Sequence, residues 1–594
     1  MGYDEELIRI IKKYNLDRNE NNINSERINA EVINILKNKC KGKKMAMWGV
    51  GDINNPNETY VYKFLDKYIY YLGKVNCLVD ARDDYMGKKL LDIPIIKSDE
   101  LEKYDVEVIL ITSFRSRKYI AEDIKTKFPQ IYCLDIYEEL EKNGIKTEKD
   151  IFKSDSRYVD IYFARKKYEL AVDEIDKSMY LKDLIARYLD IRDIYYATFF
   201  MKEYVDKNYN GWEEISKCVS EVEILLKRIK ENTIKRKDIV LAYIDALRSC
   251  DWYDKKTDKY KILKNISNES KCFLEVNSTA SVTYESMYSA MTGNLPLDGD
   301  VYNRSYSYRI GESKFFNRAI KKGYSINVYF PELYKILDEN KFVKYYYNLY
   351  ITEHMWNLIC RMAEEEKRTI HFFYAKELHI PFLCGYFTDE PIETVFSRMG
   401  FDDTVEDREK VSRQFKDCLQ YVQLQIEYFW EYFGERSNKI IFSDHSHIVC
   451  NEKNKPYYMY YNDIEKSVHN VLMISGENVI AEKVSNLVSM RDFNKIILPL
   501  LDDKDVYIPE EDIIEYQYYP VMNKSIRECS KLFNGEKYID GIKCFRNKNY
   551  LVVFTKKGLP EIYRLEDENK VSICDSKEGK DFLRYIQKNY DVEF

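Results

Sequence analysis

Lys439–Cys450, KIIFSDHSHIVC, joins a short run of buried-strand character to Ser443-Asp444-His445-Ser446-His447. That spacing places a carboxylate and two imidazoles at the carboxyl end of a strand. Carboxylate oxygen with imidazole nitrogen suits a borderline or hard divalent cation such as Zn²⁺ or Mn²⁺, and not a site built from thiolates. By itself such a pair is more often a hydrogen-bonded loop, so distant segments must supply further ligands and a nucleophile. Two do so. Ile239–Arg248, IVLAYIDALR, is a second buried-strand run that ends on a carboxylate, Asp245, the position of a metal ligand or, in the bland reading, of a helix cap. In Asn277–Pro296, Met287, Ala290 and Met291 share one helical face, Gly293 stops the helix and Pro296 follows, which puts Thr283 at or near its start. A hydroxyl there either caps the helix or faces an anionic group held by the helix N-terminus.

The elements that must carry these residues read as an α/β protein. Leu7, Ile8, Ile10 and Ile11, then Ile28, Val32, Ile33 and Leu36, have helical spacing within residues 1–40. Over 41–150, strands at Met45–Gly51, Val75–Asp80, Asp92–Ile96, Val106–Thr112 and Ile131–Asp135 alternate with helical segments, which predicts a small Rossmann-like parallel sheet. Gly49 and Gly51 begin a phosphate-binding pattern and Asp80 stands where an acid could meet a ribose, but Asn54 replaces the third glycine. This stretch resembles the small Rossmann-like domains attached to bacterial sugar-modifying enzymes. The resemblance implies nucleotide or nucleotide-sugar binding, against a purely structural or oligomerising role. Residues 151–234 are helical in pattern and read as a spacer. A second α/β domain is expected over 235–594, with a C-terminal subdomain from about 515 in which Tyr550–Thr555 and Glu561–Glu566 form antiparallel strands turned by Gly558-Leu559-Pro560.

The composition, 45% hydrophobic and 32% charged with a net charge of −7, is that of a globular protein and gives no support for nucleic-acid binding. Thirteen cysteines without CxxC pairs argue for reduced thiols. No stretch approaches a membrane span and the opening residues lack a signal-peptide core, so a cytoplasmic location is expected.

Six segments occur in an order that resembles the alkaline phosphatase superfamily, in its sulfatase and phosphoethanolamine/phosphoglycerol transferase branches: IVLAYIDALR, STASVTYESMYSAMTGNLP, ELHIPF, IIFSDHSH, HNVLMI with NLVSMRDFNKIILPLL, and EIYRLEDE. The resemblance covers about residues 236–570 and implies an α/β/α fold with a small C-terminal antiparallel sheet. It implies one divalent metal ion (Mn, Zn, Mg or Ca) held by Asp245, Asp444, His445 and Thr283. Thr283, nine residues before Thr292, falls at the nucleophile position. His379 matches the histidine that contacts substrate or protonates a leaving group. His469 and His447 match substrate-side positions less closely, and His354 and His371 read as structural. Two departures stand out: Ser446 replaces the glycine of the family's DHG, and Ala246 follows Asp245 where sulfatases carry a second Asp. Thr283 in place of the Cys or Ser that becomes formylglycine favours a phosphorus ester over a sulfate ester. The expected function is therefore a metal-dependent phosphotransferase or phosphoric mono- or diester hydrolase with a threonine nucleophile, acting on a small-molecule or glycan ester, with glycans or their nucleotide-linked precursors as the expected substrates. The alternatives are a cytoplasmic sulfatase-like hydrolase and a non-catalytic nucleotide-sugar-binding or scaffold protein, with oligomers forming through the N-terminal domains.

Overall fold

The structure, a computed structural model, describes residues 2–593 apart from 18–23, 52–60, 62–63, 66–67, 69–70, 91–92, 115, 146–156, 299–309, 332–336, 380–381, 383, 385–404, 447–467, 519–537, 539 and 567–570. It divides into two compact units, the larger formed by Met1–Asp17, Ile161–Ile392 and Arg398–Phe594, the smaller chiefly by Arg18–Asp160. The chain thus leaves the larger unit after its first helix and returns to it later. That first helix, α1 (Tyr3–Lys13), and the second, α2 (Asn24–Lys39), were expected as one N-terminal segment, yet they belong to different units.

In the smaller unit, strands β1 (Lys44–Trp48), β2 (Lys74–Val79), β3 (Lys89–Leu90), β4 (Ile93–Ile96), β5 (Val108–Ile111) and β6 (Tyr132–Asp135) form one sheet in the order β3-β4-β2-β1-β5-β6. Every pairing is parallel except β3 with β4. Alternate residues of β1 serve opposite faces: Met45 and Met47 join one apolar cluster, Ala46 and Trp48 another. Both faces are therefore covered, as a parallel sheet requires.

The larger unit is built on an eight-stranded mixed sheet. Its strands are β7 (Ile239–Ile244), β10 (Lys271–Asn277), β11 (Ser325–Tyr329), β12 (Val343–Tyr346), β13 (Thr369–Ala375), β14 (Asn438–Phe442), β15 (His469–Ser475) and β16 (Glu482–Ser489). A separate hairpin pairs β8 (Tyr253–Asp254) with β9 (Lys259–Tyr260). The order is β12-β11-β13-β7-β14-β15-β10-β16, and β15 alone runs antiparallel to its neighbours. Strands β7 and β13 are buried at every residue; the uninterrupted apolar run of β7 predicts this, whereas β13 also encloses Thr369 and His371. Because β7, β13, β14 and β10 point the same way, the loops leaving them emerge on one edge. A four-stranded antiparallel sheet, β17 (Ile514–Tyr518), β18 (Ile542–Arg546), β19 (Tyr550–Thr555) and β20 (Glu561–Arg564), closes the chain as expected. Its edge strand meets the loop after β10, where Gln517 N–H donates to Thr279 O at 2.8 Å.

Of the stretch read as a helical spacer, the residues from Ile161 onward fall in the larger unit. Helices α3 (Glu174–Asp190), α4 (Ile194–Asp206) and α5 (Trp212–Thr233) carry apolar faces through Leu184, Ile185, Met201, Val222 and Leu225. Helix α1 joins them: Asp4 accepts from Trp356 Nε1 at 2.8 Å and from Arg192 Nε at 2.9 Å. Asp193 caps α4 from a fully buried position, accepting Tyr196 N–H at 3.0 Å and Tyr421 O–H at 2.7 Å. Burial pushes its carboxyl up to about 6. A carboxyl raised when folded stabilises the protein below its unfolded value, near 3.8, and that contribution is lost as pH climbs through about 6. Compared with Asp193→Asn, the natural protein is expected to lose about 3 kcal/mol between pH 4 and 7, read from urea unfolding of both. A difference that is flat with pH contradicts the buried carboxyl.

Candidate functional site

Two loops and one helix start make the site. Asp245 follows β7, Asp444 and His445 follow β14, and Thr283 opens helix α6 (Thr283–Thr292) after β10. Asp245, Asp444 and His445 offer one ligand atom each, all within 4.8 Å of one another and all buried. His445 Nε2 lies 3.2 Å from Asp444 Oδ2, 3.7 Å from Asp245 Oδ1 and 3.1 Å from Thr283 Oγ1. Residues 199 positions apart in the chain, Asp245 and Asp444, therefore meet because β7 and β14 are parallel neighbours.

Each group is held by bonds that leave one inner atom facing the others. Asp245 Oδ2 accepts the Tyr374 hydroxyl at 2.5 Å, while Oδ1, fully enclosed, takes no hydrogen bond. Asp444 Oδ1 accepts Ala246 N–H at 3.2 Å, and its Oδ2 again has no hydrogen-bond partner. His445 Nδ1 lies 3.2 Å from Ser446 O, a carbonyl that only accepts, so Nδ1 carries the proton and Nε2 presents a lone pair. Ala246 has φ +60°, left-handed for a residue with a Cβ, and is fully buried. The turn that aims its N–H at Asp444 overrides the steric preference, which costs on the order of 1 kcal/mol.

Burial first, and the Asp444 carboxylate second, push the Asp245 carboxyl well above the usual carboxylate range, while His445 pulls it down. Two enclosed carboxylates with one unpaired oxygen each are an unfavourable arrangement for the protein alone. A divalent cation would satisfy it, since two carboxylate oxygens, an imidazole nitrogen and an adjacent hydroxyl are a donor set of the right chemistry.

Thr283 differs in detail from the capping role open to it in the sequence. The N-cap is Val282, and the Thr283 hydroxyl turns to His445 Nε2 and caps nothing. Gly293 ends the helix at φ +80°, as its position predicted. His379 lies in the turn after β13, its N–H bonded to Lys376 O at 2.8 Å, so it stands on the same sheet edge as the trio. His469 is committed elsewhere. Its Nε2 is 3.1 Å from Leu274 O and 3.8 Å from Glu275, and burial, reinforced by Lys255 and Arg546, lowers its imidazole to about 3. It does not belong to the trio. His447 lies outside the described residues. His354 and His371 are enclosed in the fold, at 2.6 Å from Tyr374 O and 2.9 Å from Tyr329 Oη respectively.

Sequence reasoning missed Tyr374. Its place as the penultimate residue of a buried strand reads as core, and only the pairing of β13 with β7 brings its hydroxyl under Asp245. In the smaller unit, Gly49 and Gly51 do have positive φ, at 106° and 83°, at the end of β1. Asp80, however, is engaged: Oδ2 accepts Val50 N–H at 3.1 Å and Oδ1 pairs with Arg82 Nε at 2.8 Å. A ribose hydroxyl would have to displace that ion pair.

About 60% of the chain is similar in structure to several solved proteins. A protein in the alkaline phosphatase superfamily from Vibrio parahaemolyticus has TM-score 0.35 and 14% identity, over 61% of this chain and 96% of its own. The phosphonate monoester hydrolase of Agrobacterium radiobacter has TM-score 0.43 and 12% identity, over 59% of this chain and 94% of its own. A candidate sulfatase from Bacteroides thetaiotaomicron has TM-score 0.45 and 11% identity, over 60% of this chain and 91% of its own. No protein-family model matches the chain, and no curated protein matches it.

Proposed function

We propose that the larger unit is a cation-dependent hydrolase or transferase of phosphate esters that works through a covalent intermediate on Thr283. The observation that carries this reading is the meeting of a helix-start hydroxyl with an imidazole nitrogen and two unpaired, buried carboxylate oxygens. Asp245 Oδ1, Asp444 Oδ2 and His445 Nε2 would hold the cation beside Thr283 Oγ1. When bound, it supplies positive charge that lowers the pKa of a neighbouring hydroxyl and offsets the charge on phosphoryl oxygens.

The chain's own residues do the rest. Tyr374 and Ala246 N–H hold the outer carboxylate oxygens and so orient the inner ones. Ser446 O keeps the His445 Nε2 lone pair directed inward. Thr283, first residue of a ten-residue helix, presents its oxygen where the unpaired N–H groups of that helix favour an anionic group. The oxygen, its proton released to solvent, forms the new bond to phosphorus as the bond to the leaving oxygen breaks, and water or an acceptor hydroxyl then takes the phosphoryl group. His379, on the same edge, is assigned as the proton donor to the leaving group.

Thr283 where sulfatases carry a formylglycine precursor supports phosphorus over sulfur. The test is turnover of p-nitrophenyl phosphate, its bis-ester and p-nitrophenyl sulfate with added Mn²⁺, Zn²⁺, Mg²⁺ or Ca²⁺ and after chelation. A phosphate-ester preference that chelation abolishes is expected. A preference for sulfate moves the protein to the sulfatase reading, and a protein that neither binds a cation nor turns over an ester is a binding or scaffold protein.

A further inference from the structure

The peptide unit between Asp444 and His445 sets where both side chains point, and its carbonyl oxygen is unusually well held. Two donors from different elements converge on it. Ser286 Oγ, on α6, donates to Asp444 O at 2.5 Å. Asn470 Nδ2, at the start of β15, donates to the same oxygen at 2.7 Å and to Ser443 O at 3.0 Å. Both side chains are fully buried.

Both are polar residues in fully enclosed positions. A serine in a buried helical turn is a weaker helix former than alanine and commonly bonds its own preceding turn. Here the Ser286 backbone N–H keeps the helical bond to Val282 O at 3.1 Å, while its hydroxyl leaves the helix for a loop 158 residues away. Ser286 Oγ also stands 2.6 Å from Ser278 Oγ, on the loop between β10 and α6. Asn470 likewise spends its amide on two carbonyls of the ligand loop, leaving Oδ1 unpaired.

Ser286 lies one turn after Thr283, so its bond to Asp444 O fixes the helix that carries the hydroxyl against the loop that carries Asp444 and His445. Asn470 fixes that same loop against the sheet. We propose that Ser286 and Asn470 are positioning residues, a two-sided clamp on the Asp444–His445 peptide that brings Thr283 Oγ1, Asp444 Oδ2 and His445 Nε2 to one point. This inference rests on the cation-site reading given above. Positioning groups behind metal ligands are worth about 10- to 100-fold in affinity where this has been measured.

The experiment is calorimetric titration of the full-length protein with MnCl₂, alongside the kinetics of p-nitrophenyl phosphate. Ser286→Ala is expected to weaken Mn²⁺ binding about tenfold and to lower kcat with little change in KM. Excess Mn²⁺ should restore much of the lost turnover, which a general loss of structure would not allow. Ser278→Ala, which spares both bonds to Asp444 O, is expected to bind Mn²⁺ within about twofold of the natural protein. Ser286→Thr, which keeps the hydroxyl, is expected to recover affinity toward that of the natural protein. Asn470→Asp, which removes the donor, is expected to weaken binding at least as much as Ser286→Ala. If Ser286→Ala and Asn470→Asp titrate like the natural protein while Asp245→Asn loses Mn²⁺, the clamp is wrong and the site stands. If the natural protein itself takes up no Mn²⁺, both are overturned.

Discussion

Thr283→Ala is expected to lower turnover of an aryl phosphate by about three orders of magnitude or more, the scale seen when a covalent nucleophile is removed. Cation binding should change only a few-fold, because Asp245, Asp444 and His445 remain. Stability should change by less than about 1 kcal/mol, since the Thr283 hydroxyl caps no helix and its only described bond is to His445 Nε2. Thr283→Ser, which keeps the oxygen without the methyl, should retain measurable turnover. The three measurements are kcat with p-nitrophenyl phosphate, a Mn²⁺ titration and a thermal melt. Turnover within tenfold of the natural protein in Thr283→Ala would place the nucleophile elsewhere.

Asp245→Asn is expected to move two properties in opposite directions. In chelator, the natural protein buries two carboxylates whose inner oxygens have no hydrogen bond, Asp245 Oδ1 and Asp444 Oδ2. Removing one charge relieves both the desolvation and the repulsion, so the variant should be more stable than the natural protein by about 1–3 kcal/mol. With saturating Mn²⁺ the order should reverse, because a cation that binds only the folded state stabilises it in proportion to its affinity. Loss of one anionic ligand is expected to weaken that affinity by about 100-fold. The amide oxygen of Asn can still accept from Tyr374, so the fold around β7 and β13 is kept. Melts of both proteins in EDTA and in MnCl₂ decide it. A variant less stable than the natural protein in EDTA would mean that the two carboxylates are reconciled by something other than a cation.

Much of this site was legible in the sequence because its residues sit at the ends of strands buried on both faces. Uninterrupted runs such as Ile239–Ile244 mark such strands without ambiguity, and the carboxylate that follows is conspicuous against them. The helix of Thr283 was equally plain from Met287, Ala290, Met291 and Gly293. What could not be read was neighbourhood across the sheet. Nothing in HNVLMI says that β15 runs antiparallel between β14 and β10, and that reversal turns His469 toward Leu274 while delivering Asn470 to the Asp444 carbonyl. Tyr374 and Ser286 were hidden for the same reason, since both look like ordinary core residues until the partner 129 or 158 residues away is known. Asp80 was misleading in a local way: an acid after a strand suggests a ribose, but Arg82, two residues on, already satisfies it.

The path of the chain through its two units bears on the order in which the protein is made. Helix α1 is synthesised before the side chains that hold it, since Arg192 and Trp356 come 188 and 352 residues after Asp4. Its apolar face, Leu7, Ile10 and Ile11, must therefore wait through the synthesis of the whole smaller unit before a surface exists to cover it. The smaller unit is continuous in sequence over nearly all its length and can close during that interval. The larger unit cannot: the apolar face of α1 stays uncovered until residues on the far side of the smaller unit have been made, so that face is open to other contacts in the meantime.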